Sequence, residues 1–209
     1  MLNVLEHFGQ IAKDSESEYR PTEKGMLTAY IRSENDLAIS TVISEGILDD
    51  LSPVEIAAAL SVLVYEPRRN SQGTMDNVPK NIKSKVRNIQ SIAGEVEHIQ
   101  NIEGINSQVS VEVDMVLVVW LWGNGSTWKK LVQDTNLDDG DIIRAMRRII
   151  DLLHQLKNNP SLNLETQQKV SSAIGLLDRD LITINLQEEK VEALEEDELN
   201  QEQEIEAEI

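Results

Sequence analysis

Apolar residues recur at intervals of three and four along most of the chain, the spacing that places them on one side of an α-helix. In residues 33–46, Ser33 is a candidate N-cap and Gly46 is placed to end the helix, with aliphatic residues between them. Residues 52–66 are marked more sharply, because Ser52, Pro53 and Glu55 form a capping-box sequence ahead of an almost wholly apolar run. That run is predicted to lie at the centre of the core.

The rest of the chain is also predicted to be helical. Residues 68–79 have the Gly, Asn, Ser and Pro content of a loop, and the long polar helix after them covers residues 80–102. Residues 110–122 are β-branched and apolar enough for a buried strand, but no partner strand is evident, so a buried helix is predicted. Short helices follow, and the last helix runs from about Leu164 to Ile184. The predicted fold class is all-α, a multi-helix bundle.

The most strongly patterned helix is "GDIIRAMRRIIDLLHQL", residues 140–156. At roughly 100° per residue, one side is apolar, with Ile142, Met146, Ile149, Leu153 and Leu156 along it and Ile150 and Leu152 beside them. The opposite arc carries Arg144, Arg147, Arg148, Asp151, His154 and Gln155. We call Arg144, Arg147, Arg148 and Asp151 the arginine stripe. Asp138 or Asp139 can cap this helix, and Asp141 lies in its first turn, where a negative charge is favourable.

Two interpretations of the arginine stripe are open from the residues alone. The first is a solvated face with weak ion pairs, since Asp151 is within helical reach of Arg147 and Arg148. The second is phosphate contact by arginine. Residues 126–156 also resemble a helix-turn-helix, but the acidic turn and the overall acidity argue against binding to duplex DNA.

Charge and composition narrow the class of protein. The chain of 209 residues has a formal net charge of -18, 40% hydrophobic residues and no cysteine, which removes disulfides and thiolate metal sites. Residues 186–209 contain 11 acidic residues and one lysine, so -10 of the net charge lies in a C-terminal tail predicted to be frayed or disordered. No signal peptide or membrane-spanning run is evident, so a soluble, cytoplasmic protein without membrane contact is expected.

Candidate chemistry is sparse elsewhere. "GNGSTWKK" at residues 123–130 lacks the glycine that precedes the lysine of a phosphate-binding loop. His7, His98 and His154 lack metal-ligand spacing, and the tryptophans and Tyr65 are predicted to be core residues. The sequence therefore predicts no metal, no cofactor and no catalytic activity of the chain itself.

Several segments, taken in order, resemble one known family. They are "LSPVEIAAALSVLVYE" (51–66), "VVWLWGNGSTWKKL" (118–131), "GDIIRAMRR" (140–148) and "DRD" (178–180). Together they resemble the DSHCT domain, the C-terminal helical domain of DExH-box RNA helicases of the superkiller and exosome-assisting type, including bacterial and chloroplast relatives. The resemblance spans about residues 21–182, and the combination is specific where each piece alone is weak.

This resemblance implies an accessory domain, not a motor. One helix of the family acts as a ratchet against the single RNA strand leaving the helicase, and residues 140–156 match that helix, so Arg144, Arg148 and Asp151 map onto its strand-facing positions. Arg147 shares their arc and is added as an RNA-binding candidate. The implied partners are single-stranded RNA, bound weakly, and helicase motor domains in cis or in trans.

The resemblance also suggests a division of the chain. Residues 1–24 resemble the end of a preceding winged-helix segment, residues 25–185 form the DSHCT-like bundle, and residues 186–209 are the acidic tail, which is not part of the family pattern. No Walker A loop and no DExH box occur in the sequence. The alternative function is a free-standing helical adaptor that binds protein partners.

Overall fold

The helical interpretation is confirmed by a computed structural model, which describes residues 1–65, 75–135 and 137–179. Its helices are α1 (Leu2–His7), α2 (Glu23–Ala29), α3 (Asp36–Ser44), α4 (Pro53–Leu60), α5 (Lys80–Ile102), α6 (Asp114–Gly123), α7 (Trp128–Thr135), α8 (Asp139–Lys157) and α9 (Leu164–Leu177). A short 3-10 helix, Ser61–Leu63, follows α4 directly. The described part of the chain is all-α apart from one small hairpin near the N-terminus.

That hairpin is a feature that the hydrophobic pattern did not predict. Strand β1 (Ile11–Lys13) pairs antiparallel with β2 (Tyr19–Pro21), with Ile11 opposite Pro21. The turn between the strands is held by Asp14, whose carboxylate accepts hydrogen bonds from the backbone N–H groups of Glu16 and Glu18 at 2.9 and 3.0 Å. The hairpin leads into α2, so four short elements, α1, β1, β2 and α2, precede the first helix that the sequence predicted.

The start of α4 has the predicted capping box. Pro53 is the first helical residue, and the Glu55 carboxylate accepts a hydrogen bond from the Ser52 N–H at 2.9 Å. The second carboxylate oxygen of Glu55 accepts from the side-chain amide of Asn81 on α5. The α-helix itself ends at Leu60, earlier than predicted, and continues as the 3-10 turn. Ala57 to Leu60 are fully buried, which confirms the central position of this segment.

Other predicted boundaries are correct to within a few residues. The helix predicted at residues 33–46 begins later, with Asn35 at the N-cap in place of Ser33, and ends as expected before Gly46, whose φ is +67°. Residues 110–122 form a helix, as predicted, from Asp114 onward. The last helix ends at Leu177, earlier than predicted, since residues 178 and 179 are described and are not helical. Residues 180–184 of the predicted span lie outside the described residues, as do residues 68–74 of the predicted loop and the acidic tail.

The core of residues 1–177, which form one compact unit, is built around α4, α6, α8 and α9. Helix α8 packs along α9, and α4 packs against both α6 and α9. The Trp122 indole, 2% exposed, donates its N–H to the carbonyl of Leu177 at 2.8 Å and meets Trp128 edge to face. The predictions that Trp122 and Tyr65 are core residues are confirmed, since both are buried. Trp120 and Trp128 are only half-buried, so the same prediction does not hold fully for them.

Side-chain hydrogen bonds connect the N-terminal part of this unit with its C-terminal part. Asn159 is fully buried and donates from its side-chain amide to the carbonyl of Leu27 in α2 at 2.9 Å. Lys169 of α9 donates to the carbonyl of Asp49 at 2.6 Å. Because a buried amide without a partner is costly, Asn159 fixes the position of α2 against the turn between α8 and α9. Within the residues that the structure describes, no helix has the length and apolar character to span a bilayer.

Candidate functional site

Helix α8 begins and ends as its sequence predicts. Asp138 occupies the N-cap position with an extended backbone, although its side chain makes no capping hydrogen bond, and Asp139 and Asp141 lie in the first turn. His154 and Lys157 lie in the last turn. This distribution places negative charge at the positive end of the helix dipole and basic side chains at its negative end.

The buried and exposed faces of α8 match the predicted division. Its predicted apolar positions are all buried, at 0% to 8% exposure: Ile142, Met146, Ile149, Ile150, Leu152, Leu153 and Leu156. Arg147, Arg148, Asp151 and His154 are exposed. Helix α8 therefore has its apolar face in the core while its charged face stays open to solvent.

Arg144 differs from the other arginines of the stripe. Its guanidinium forms an ion pair with Asp141, one turn earlier, at 2.5 Å, and its side chain is 38% exposed. The same carboxylate lies near Tyr65, and burial together with the charges of Asp141 and Asp114 raises the pKa of that phenol above its ordinary value of 10.0. A phosphate approaching Arg144 must therefore compete with Asp141 for the guanidinium.

Arg147, Arg148 and Asp151 are the exposed members of the stripe. No ion pair joins Asp151 to Arg147 among the residues that the structure describes, although helical spacing allows one. One Arg148 nitrogen, Nη1, lies 3.5 Å from the carbonyl oxygen of Val64, at the end of the 3-10 turn. The structure thus brings the C-terminal end of the α4 segment beside the arginine stripe.

A groove runs along the stripe on the side of Arg148. It has a volume of about 480 Å³ and is lined by residues 32–35, by Leu63 and Val64, and by α8 between Arg148 and Gln155. Two bonds hold its walls together. The backbone N–H of Arg32 donates to the Gln155 side-chain oxygen at 2.6 Å, and the Asn35 amide donates to the carbonyl of Leu63 at 2.7 Å.

Residues 32–35 are the part of this site that the sequence did not reveal. Ser33 was interpreted only as a helix cap, and no spacing rule links residue 32 to residues 148–155, which lie far along the chain. Their proximity results from the packing of the whole unit. The charge of Arg32 is the sequence feature that points to this wall of the groove, and a single arginine does not by itself indicate a binding site.

Other polar groups do not form a comparable centre. A second groove, of about 670 Å³, lies near the start of α2 and the start of α9, with Thr22, Glu23 and Asn163 in its lining. The His7 ring lies 3.6 Å from the Glu95 carboxylate. Within residues 1–65, 75–135 and 137–179, no three His, Cys, Asp or Glu side chains are placed to hold a metal ion.

Comparison with models of known protein families identifies one family that covers most of the chain. The model of the DSHCT (NUC185) domain matches residues 18–184, which is most of the chain. The resemblance noted from the sequence motifs is therefore confirmed by a match that extends beyond those motifs at both ends.

Individual relatives agree with that match. The chain is 26% identical over 160 residues to the DExH-box ATP-dependent RNA helicase DExH15, chloroplastic, of Arabidopsis thaliana, covering 74% of this chain and 14% of that protein. It is 24% identical over 186 residues to the ATP-dependent RNA helicase mtr4 of Schizosaccharomyces pombe, covering 86% of this chain and 16% of that protein. It is also 24% identical over 172 residues to the human exosome RNA helicase MTR4, covering 76% and 16%. The chain thus spans 14% to 16% of the length of these relatives.

Proposed function

Because the chain belongs to the DSHCT (NUC185) family, we propose that it is an accessory domain of a DExH-box ATP-dependent RNA helicase, whose arginine stripe contacts the single RNA strand leaving the motor. In this proposal residues 25–185 are the functional bundle, residues 1–24 are the end of a winged-helix segment, and residues 186–209 are an acidic tail. The helicase motor domains, in cis or in trans, are the protein partners, and a cytoplasmic location is part of the same proposal.

The main support for the proposal is that Arg147 and Arg148 are exposed on a helix whose opposite face is buried in the core. An exposed arginine on such a helix is placed by the fold at a fixed position on the surface, and the planar guanidinium suits contact with phosphate. The acidity of the chain does not prevent this contact, because salt screens charges beyond about 8 to 10 Å. Asp151, one turn from Arg148, is positioned to meet the edge of a base and not a phosphate.

In this function the chain positions charged side chains against the RNA strand and carries out no chemical step. The ATP-hydrolysing motifs of a helicase are absent from the 209 residues, so nucleotide turnover belongs to the motor domains. The proposal accordingly assigns no catalytic residue, metal or cofactor to this chain.

Single-stranded RNA binding by paired variants tests the proposal. Isolated binding is expected to be weak, on the order of 10⁻⁴ to 10⁻⁶ M, and steeply salt-dependent, as is typical of non-specific phosphate contacts. Arg147→Ala combined with Arg148→Ala should weaken it and lower the slope of log affinity against log salt by about 1.4, because each phosphate contact to a single strand contributes about 0.7. Fluorescence anisotropy with a labelled RNA, between about 50 and 200 mM salt, measures both quantities.

The matched control removes the same charge elsewhere. Lys80 and Arg87 both lie on α5, and both are exposed. Lys80→Ala combined with Arg87→Ala should leave the salt slope unchanged. If the stripe variant is folded by circular dichroism and binds RNA like the control, the stripe is a solvated face, and the helical adaptor that binds protein partners becomes the better account. The parent chain should show no RNA-stimulated ATP hydrolysis in the same preparations.

A further inference from the structure

The second groove, of about 670 Å³, is formed by three separate parts of the chain. Its walls are residues 22–24 at the start of α2, residues between positions 43 and 49 where α3 ends, and the turn that leads into α9. Its volume lies within the range of roughly 300 to 1,000 Å³ that ligand pockets occupy. None of its lining residues belongs to the arginine stripe, so a ligand of this groove does not depend on RNA contact at α8.

Long-range hydrogen bonds hold the three walls in place. The buried side-chain amide of Asn159 donates to the carbonyl of Leu27 at 2.9 Å, which joins α2 to the turn before α9. The Lys169 ammonium donates to the carbonyl of Asp49 at 2.6 Å, which joins α9 to the connection between α3 and α4. Because these bonds form the groove without a ligand, a ligand that binds there meets a low cost of ordering the protein.

Two of the walls carry carboxylates without partners. Glu23 and Asp49 are exposed and line the groove. Among the residues that the structure describes, neither carboxylate forms an ion pair or accepts a hydrogen bond, since Lys169 contacts the backbone of Asp49 and not its side chain. Lys24 is the one basic side chain in the described lining, and it pairs with neither carboxylate. The groove therefore has a net negative charge, which suits a positively charged ligand.

The same groove has apolar surface and hydrogen-bonding groups beside its carboxylates. Ile43 and Leu162 are half-buried and supply aliphatic contact. Ser161 and Thr166 add hydroxyl groups, which can bond to a peptide backbone. An inorganic cation uses none of this surface, and the described residues contain no three His, Cys, Asp or Glu side chains placed for a metal. A peptide with basic and aliphatic side chains uses all of it.

We propose that the second groove docks an extended segment of a partner protein in which an arginine or lysine lies beside aliphatic residues. The basic side chain contacts Glu23 and Asp49, and an aliphatic side chain packs on Ile43 and Leu162. Charge complementarity selects this occupant, because the groove is acidic on a chain whose net charge is -18. The chain thus has a protein-binding surface in addition to the surface proposed for RNA.

The first experiment varies the ligand. The isotope-labelled full chain is titrated with the peptide Gly-Leu-Arg-Leu-Gly, blocked at both ends, and backbone amide chemical shifts are recorded by NMR. Shifts should change at Gly9, Gly46 and Asn163, with a dissociation constant on the order of 0.1 to 1 mM. Gly-Leu-Glu-Leu-Gly reverses the charge and should cause no saturable change. Gly-Gly-Arg-Gly-Gly should bind about threefold to tenfold more weakly, because it lacks the aliphatic contact.

The second experiment varies the protein. Glu23→Gln combined with Asp49→Asn should weaken binding of Gly-Leu-Arg-Leu-Gly by about threefold to tenfold, the range for two exposed charge contacts. Glu16→Gln combined with Asp134→Asn makes the same change of charge at exposed positions outside the groove and should leave the affinity unchanged. Lys24→Gln removes a repulsive charge and should strengthen binding by about twofold. Circular dichroism and thermal melting confirm that all three variants are folded.

Each outcome bears on the proposal. Shifts at the groove, with a loss of affinity confined to the Glu23, Asp49 variant, support it. It is overturned if the peptide does not bind, if the shifts map outside the groove, or if the control variant loses as much affinity. Equal shifts caused by spermidine would assign the groove to small organic cations instead. Arg147→Ala combined with Arg148→Ala should bind the peptide like the parent, so this proposal and the proposed RNA contact can fail separately.

Discussion

Glu55 connects the start of α4 to α5 through a single carboxylate. It accepts hydrogen bonds from the Ser52 N–H and from the Asn81 amide. Burial acts to raise the pKa of Glu55, but these hydrogen bonds outweigh it and hold the pKa below its ordinary value of 4.5. A carboxyl group whose pKa is lower in the folded state stabilises the fold above its unfolded pKa, and this contribution disappears as the pH falls through the folded pKa.

Glu55→Gln should therefore cost stability in a pH-dependent way. The glutamine oxygen still accepts hydrogen bonds but carries no charge, so we expect a loss of about 0.5 to 1 kcal/mol near neutral pH, at the low end for helix caps because solvent screens this carboxylate. Below the folded pKa, parent and variant should be equally stable. Urea unfolding at a series of pH values from about 7 downward measures the difference, and a loss that stays constant over the whole series would show that the charge is irrelevant.

Single glycines inside helices offer a test at the scale of the element. A Cβ added at Gly94 in α5 or at Gly175 in α9 meets no atom within 4 Å, and neither has positive φ. Each glycine-to-alanine change should raise the free energy of unfolding by about 0.5 to 1 kcal/mol, because glycine loses more backbone entropy than alanine in a helix.

Gly123, the last residue of α6, is the matched contrast. There an added Cβ lies 2.6 Å from a methyl carbon of Val54, so the two helices must separate or the valine must change rotamer. Gly123→Ala should lower stability by about 1 to 3 kcal/mol. Chemical unfolding of the three variants measures these changes. A Gly123→Ala protein as stable as the parent would show that Val54 gives way to the added methyl group without cost.

Whether an element can be predicted depends on how its apolar and polar residues alternate along the chain. Helices α5 and α8 have a polar face and an apolar face, so their residues carry the helical period directly. Helix α6 is apolar on nearly all sides, which leaves no period to distinguish it from a buried strand. The hairpin strands contain three residues each, too few for alternation to be visible, and their pairing depends on a turn centred on Asp14.

The sequence predicts only one of the two walls of the groove beside the arginine stripe, the wall formed by α8. The stripe on α8 follows from spacing within a single helix, which local chain geometry determines. The groove requires Arg32 to lie beside Gln155, and that contact joins residues 123 positions apart. Contacts at such separations depend on the packing of every element between them, so no local pattern encodes them.

The charge distribution yields a prediction for the whole molecule. Residues 186–209 carry -10 of the net -18, and deleting residues 187–209 should strengthen single-stranded RNA binding, because tethered carboxylates compete with phosphate for the arginine stripe. The gain should be largest at low salt and vanish near 1 M, where the Debye length falls to about 3 Å. Anisotropy titrations of both chains across a salt series measure it.

Two further measurements complete this test. The melting temperature should be nearly unchanged by the deletion, since the tail composition predicts no buried apolar surface. A deletion of residues 187–209 that weakened RNA binding would instead assign the tail a direct role in holding the strand.

The buried bond from Asn159 to Leu27 has a consequence for how the protein is made. It joins residues 132 positions apart, and the bonds from Gln155 to Arg32 and from Lys169 to Asp49 span 123 and 120. At about 5 to 20 residues per second, a ribosome needs roughly 6 to 26 s to add that many residues. Helices α2 and α3 therefore leave the ribosome well before the helices that cover them exist. Until then the apolar faces of α2 and α3 remain exposed on the nascent chain. The bundle completes its fold only after α8 and α9 have been synthesised.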